Sequence, residues 1–145
     1  MRLCLKILTE TFSLSGDVMN ERYIKVLKIE PGAHPFVSFL DSTLEALNNA
    51  VRHKDGDGKA KTKKIGRGVY ILFNSDYCFS GLESNRKVKN EIISGVFYVI
   101  GADKNHHPRS LTNDEISKFA SVFWEIETFD YEEVVKSNLS YLFDV

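Results

Sequence analysis

Asn85-Arg86-Lys87 is the strongest polar constellation in this 145-residue chain. An Asn amide can read a base or a backbone, while the neighbouring guanidinium can grip a phosphate or carboxylate through two parallel hydrogen bonds. Tyr77 and Phe79 lie close enough upstream to add a stacking face. The same residues also have a structural reading, in which Asn85 caps a turn and Arg86 ties that turn to Glu83 or Asp103. A second group, His106-His107-Pro108-Arg109, sets imidazoles beside a cation, which suits anion recognition or proton movement near neutral pH. Adjacent histidines point in different directions on an extended chain, and loops between strand and helix often expose such residues without using them. The expected ligand-binding set is therefore Asn85, Arg86, Lys87, Phe79, Tyr77 and Arg109.

Other chemistries fail on spacing. The chain has no Gly-x-Ser-x-Gly elbow, no phosphate-cradling glycine loop and no carboxylate pair at a catalytic separation, so no nucleophile is nominated and enzyme activity is not expected. Asp55-Gly56-Asp57-Gly58 begins like a calcium loop, but Lys59 takes the next ligand position and Gly66 stands where a bidentate Glu should close it. No third ligand accompanies the histidines at zinc spacing, and His34 and His53 complete no motif. Neither a metal nor a cofactor is expected.

The elements that must position these residues follow from periodicity. Tyr23 to Ile29 alternates as a strand with Ile24, Val26 and Leu27 competing for the inward face, and Pro31-Gly32 stops it. Phe36 to Leu40 forms a short extended segment before Ser42 and Glu45 supply capping-box spacing for a helix whose stripe is Leu44, Leu47 and Val51. Arg52 to Lys64, with six basic residues and two glycines, reads as a long mobile loop. Val69 to Phe73 is a central strand, Asn74 to Asp76 a turn, and Cys78 with Phe79 the start of a returning strand. Gly81 to Val88 is polar and turn-like, whereas Gly95 to Gly101 is the strongest strand in the chain. Thr112 with Glu115, and Leu111 with Ile116, predict a helix from Asn113 to Phe123 that buries Ile116, Phe119, Ala120 and Phe123. Trp124 to Phe129 reads as extended, and Asp130 with Glu133 opens a last helix. Arg2 to Leu8 reads as an additional first strand.

Together these elements predict an α+β fold: a mainly antiparallel sheet of about five or six strands, with about three helices packed largely on one face. One domain over 1–145 is expected, since 43% hydrophobic content with ten Phe and six Tyr fills a core of that size. A formal net charge of −1 argues against a general DNA binder or a DNA mimic. Nucleic acid is accordingly not an expected partner, although Lys59, Lys61, Lys63, Lys64 and Arg67 could lean on phosphates. Cys4 and Cys78 show neither metal nor redox spacing, which fits a reducing cytoplasm. Leu3 to Leu8 is too short and too interrupted by Lys6 to span a membrane.

The order of motifs resembles a domain family of unknown function spread through phages, plasmids and bacterial genomes. Lys25 to Pro35 looks like its opening strand and Pro-Gly turn, Leu44 to Val51 like its first helix, and Val69 to Asn74 like its central strand. Gly81-Leu82-Glu83-Ser84-Asn85-Arg86 resembles a Gly-Leu-x-x-Asn-Arg signature preceding a strand patterned here as Ile93, Gly95, Phe97, Val99 and Gly101. Ser110-Leu111-Thr112 then opens the next helix. The resemblance covers 23–123, leaving 1–22 as an N-terminal extension and 124–145 as a C-terminal helical one. Three features depart from the pattern: the basic run replaces a short Gly-rich link, Ser84 stands where proline is often found, and both termini are extended.

The resemblance implies a phage or mobile-element accessory protein with a counter-defence role. Its expected activity is to bind and sequester a phosphate-bearing, nucleotide-like small molecule without catalysis. The alternative is a protein-binding inhibitor or adaptor that engages a host enzyme through the C-terminal helix and Trp124 or Tyr141. Tyr70, Phe79, Phe97 and Tyr98 supply aromatic area for a ligand cleft or a homo-oligomer interface.

Overall fold

A strand that is apolar along its whole length has no solvent side, so Phe97–Ala102 (β7) must lie inside a sheet covered on both faces. The computed structural model, which describes residues 22–52, 59–76 and 82–143, places it there. Tyr23–Ile29 (β1) and Val69–Asn74 (β4) flank β7 in antiparallel register. Phe36–Asp41 (β2) and Ala60–Gly66 (β3) form the two edges, giving the order β2-β1-β7-β4-β3. Pro108–Arg109 (β8) adds the sixth strand beside the far end of β7. There Lys25 and the Ser110-Leu111 backbone continue the line of β1 through Leu111 N–H donating to the Lys25 carbonyl at 2.9 Å.

Strand alternation divides the side chains between two cores. Leu27, Ile29, Val69, Ile71, Phe73, Phe97 and Val99 face one way and are covered by Asn113–Val122 (α2) and by a separate hairpin, Ser84–Val88 (β5) with Glu91–Ser94 (β6). Ile24, Val26, Leu72, Tyr98 and Ile100 face the other way, under Leu44–Val51 (α1). Tyr131–Phe143 (α3) lies outside the hairpin, where Ser137 Oγ accepts from the buried Ile92 N–H at 2.7 Å. Two of the three helices thus share one side of the sheet, in the α+β arrangement expected.

Local signals explain most boundaries. Thr112 and Glu115 exchange both hydrogen bonds of a capping box ahead of α2, and Asp130 and Glu133 do the same ahead of α3. The α1 cap is Thr43 instead of Ser42, its hydroxyl accepting from Ala46 N–H at 3.2 Å. Leu44, the first residue of the helix, is 73% exposed at the groove's rim, so the buried stripe is Leu47 and Val51 alone. Phe97 and Tyr98 are both buried, on opposite faces, which removes them from any aromatic surface.

Two segments differ from the sequence expectation. The basic run is not a loop throughout, because its second half is edge strand β3. Edge strands tolerate lysines that a central strand would not, and Lys63 pairs with Glu91 across to the hairpin. Ser84–Val88 is likewise a strand and not a turn. Trp124 to Phe129 carries no regular structure. The expected strand at Arg2 to Leu8, the return at Cys78 and Phe79, and the Asp55 to Gly58 motif lie outside the described residues.

Candidate functional site

Asn85 and Arg86 are both fully buried. Neighbours on a regular strand point to opposite faces, so burial of both on one side needs an irregularity. The β5–β6 register supplies it: Ser84 pairs with Ser94 and Arg86 with Ile93, leaving Asn85 as the extra residue of a β-bulge. Asn85 Nδ2 donates to the carbonyls of Ile29 at 2.9 Å and Gly95 at 2.8 Å. Arg86 Nη1 donates to Asn85 Oδ1 at 2.9 Å, Nε to the Phe123 carbonyl at 3.1 Å and Nη2 to the Ala33 carbonyl at 2.7 Å. Burial pulls the Arg86 pKa below an arginine's usual value, and the negative charge of Glu127 partly opposes that. The pair fastens the end of β1, the Pro31-Gly32 turn, the kink at Gly95 and the last turn of α2 to one another. Glu83 and Asp103 do not appear among these contacts. Lys87 points outward beside a shallow cleft against α3, while Tyr77 and Phe79 lie outside the described residues.

Arg109 is also clamped from within. Its two Nη atoms meet Glu115 Oε1 at 2.8 Å and Oε2 at 2.9 Å, and also donate to the carbonyls of Ser110 and Gly68. The guanidinium lies against Gly101, where an added Cβ would stand only 2.7 Å from Nη1, so the absence of a side chain makes its seat. The Arg109 hydrogen bonds lead the causes that hold the Glu115 carboxyl down at about 2 from a reference of 4.5. Because the folded-state value is the lower one, the stabilisation is complete above pH 4.5 and is lost as pH falls towards about 2. Allowing for screening of a partly exposed pair, about 1–2 kcal/mol should disappear across that window. Urea unfolding through the acid range checks this, and Glu115→Gln should flatten that part of the profile.

The histidines divide. His107 stands beside Asp103, whose carboxylate accepts the backbone N–H of Asn105 and His107 and is held below its usual range chiefly by the His107 bond. His106 occupies a left-handed turn position (φ +64°) that swings it to the rim of a groove. This groove, of about 310 Å³, opens between α1 and the sheet. Leu47, Leu72 and Ile100 form its apolar floor, Tyr70 a half-buried aromatic wall, and Ser42, Thr62 and His106 its polar margin. Lys64 lies directly opposite Tyr70 in the β3–β4 register and shares its face of the sheet, outside the residues that line the groove itself. An apolar floor, one aromatic wall, two hydroxyl side chains, an imidazole and a nearby ammonium can hold a ring compound carrying negative charge.

Sequence reasoning named Tyr70 and the lysines separately but did not join them. The missed signal is the alternation Ala60, Thr62, Lys64 within the basic run, which puts small and hydroxyl side chains on one face of a strand.

A family model described as Domain of unknown function (DUF3846) matches residues 24–123, from the second residue of β1 to just past the end of α2. No curated protein and no solved structure matches the chain.

Proposed function

Because the chain belongs to the DUF3846 family over residues 24–123, a family defined without an activity, we propose a function from its own groove. The protein binds and sequesters a phosphate-bearing, nucleotide-like small molecule and performs no reaction on it. The observation that carries this reading is the groove itself, whose apolar floor, Tyr70 wall and polar margin of Ser42, Thr62 and His106 complement a base-like ring, with Lys64 on the same face of the neighbouring strand to meet an attached anion. The binding set proposed is Tyr70, Thr62, Lys64, Ser42 and His106. Asn85, Arg86 and Arg109 support the scaffold instead, because their polar atoms already hold protein partners. A counter-defence role in phages or mobile elements follows as the setting in which sequestration without turnover would be useful.

Isothermal calorimetry against a panel of cyclic and ADP-ribose-type nucleotides tests the proposal. At least one member should bind, and Thr62→Trp, which fills the groove from an exposed strand position, should weaken it at least tenfold while leaving the thermal unfolding midpoint nearly unchanged. Lys64→Glu should weaken it as well and remove most of the salt dependence. Absent heat and absent thermal protection across the whole panel would sink the reading.

A protein-binding reading has one observation of its own. Trp124 is half exposed yet stacked on His34, with ring centroids 4.1 Å apart, while His34 Nδ1 donates to the Trp124 carbonyl at 2.7 Å. A preordered exposed tryptophan suits a hot spot. A stoichiometric host protein retained at high salt by the wild type and lost with Trp124→Ala would favour that reading over the groove.

A further inference from the structure

The two edges of the main sheet are built differently. Strand β3 carries Lys61, Lys63 and Lys64, the usual protection against pairing with a stray strand. Strand β2, Phe36–Asp41, carries no basic residue, and its single acid, Asp41, is tied to Arg22 at 3.1 Å. Phe36, Val37 and Phe39 are exposed there at 43%, 45% and 41%. Leu44 follows from the start of α1.

The direction of the free backbone groups follows from the β1–β2 ladder. Ser42 N–H donates to the Arg22 carbonyl, so residues of even number on β2 turn their amides towards β1. Val37 and Phe39 therefore turn theirs outward, along an edge that no strand among the described residues covers. Pro35, the preceding outward position, has no N–H to leave unpaired.

We infer that β2 is a self-pairing edge, joining a second copy of this chain about a two-fold axis through Ser38 to make one continuous antiparallel sheet. In that register Val37 of each copy lies opposite Phe39 of the other, and their outward groups form four N–H to carbonyl bonds. Phe36 lies opposite Leu40 on the α1 face, and Val37 against Phe39 on the other face, so these four side chains each meet an apolar partner while Ser38 meets its own copy. Asp41 falls opposite Pro35, no charge faces its like, and a net charge of −1 per copy adds little repulsion. The exposed side chains and the strand edge offer on the order of 500 Å² per copy, below the roughly 800 Å² per partner of a standard interface. The dimer is accordingly concentration-dependent, not permanent. This inference stands apart from the ligand-binding reading, since the groove is complete within one copy.

Sedimentation velocity over two decades of protein concentration is the test. The wild type should pass from monomer to dimer as concentration rises. Val37→Pro deletes an outward N–H while sparing the β1 ladder, and should give a folded monomer throughout, as should Phe39→Lys. The double variant V37K/F39E sets Lys opposite Glu twice in the stated register and should recover the dimer in a salt-sensitive form. A wild type that stays monomeric at every concentration, a dimer that survives both single substitutions, or a folded double variant that stays monomeric overturns the inference. Circular dichroism of each variant at the dilute end separates loss of pairing from loss of fold.

Discussion

Replacing Arg86 with alanine should cost about 3–5 kcal/mol of folding stability, a large part of what a domain of this size possesses. Removal of the guanidinium strands the carbonyls of Phe123 and Ala33 and the side-chain oxygen of Asn85, the first and last of them in buried bonds and the Ala33 carbonyl in a partly buried one. It also leaves a void where the largest fully buried side chain of the described residues stood. Against these losses stands one gain, because an arginine without a carboxylate in hydrogen-bonding contact no longer has to be desolvated. The losses win, since three separate acceptors from three parts of the chain are left unmade for one charge relieved. Arg86→Met keeps much of the volume and should fall between the wild type and alanine. Arg86→Lys keeps the charge but cannot reach three acceptors with the planar geometry of a guanidinium, and should recover less than half of the loss. Urea and thermal unfolding measure this, with a drop of roughly 10 °C expected for alanine. An alanine variant as stable as wild type would show that the latch is not structural and would return Arg86 to the ligand-binding set.

Asn85→Ala is expected to be the second most damaging change, at about 2–4 kcal/mol. Its Nδ2 holds the Ile29 and Gly95 carbonyls together, at the point where β1 ends and the chain kinks between β6 and β7. Gly95 stands at φ +79°, a backbone position that its Leu82 neighbour and the Asn85 bond jointly fix. Loss of the amide releases both carbonyls and removes one acceptor from Arg86, so the two substitutions must interact. A double-mutant cycle of Asn85→Ala and Arg86→Ala should therefore give a coupling of about 1–2 kcal/mol, with the double variant less damaged than the sum of the singles. Strict additivity would mean that the two side chains act separately and would contradict the shared latch.

The capping boxes at Thr112 and Asp130, the apolar run of β7 and the Pro31-Gly32 stop were legible because each is a local signal, complete within a few residues. The basic run misled because lysines on an edge strand and lysines on a loop have the same composition. Only the neighbours distinguish them: β4 on one side and, among the described residues, no strand on the other. The Asn85-Arg86 pair was read as the best polar constellation and also as a possible tie, and its partners could not be named. They come from 10 to 56 residues away, at Ile29, Ala33, Gly95 and Phe123. The β-bulge that turns both side chains inward leaves no mark in composition.

By itself the sequence determined the class of fold, the family and the positions of most helices and strands, because periodicity and caps act over short distances. Tertiary structure alone decided which polar residues are already engaged by the protein itself. Burial and hydrogen-bond saturation are properties of surroundings, so Asn85, Arg86 and Arg109 became fastenings while Tyr70, Thr62 and Ser42 were brought together at a groove.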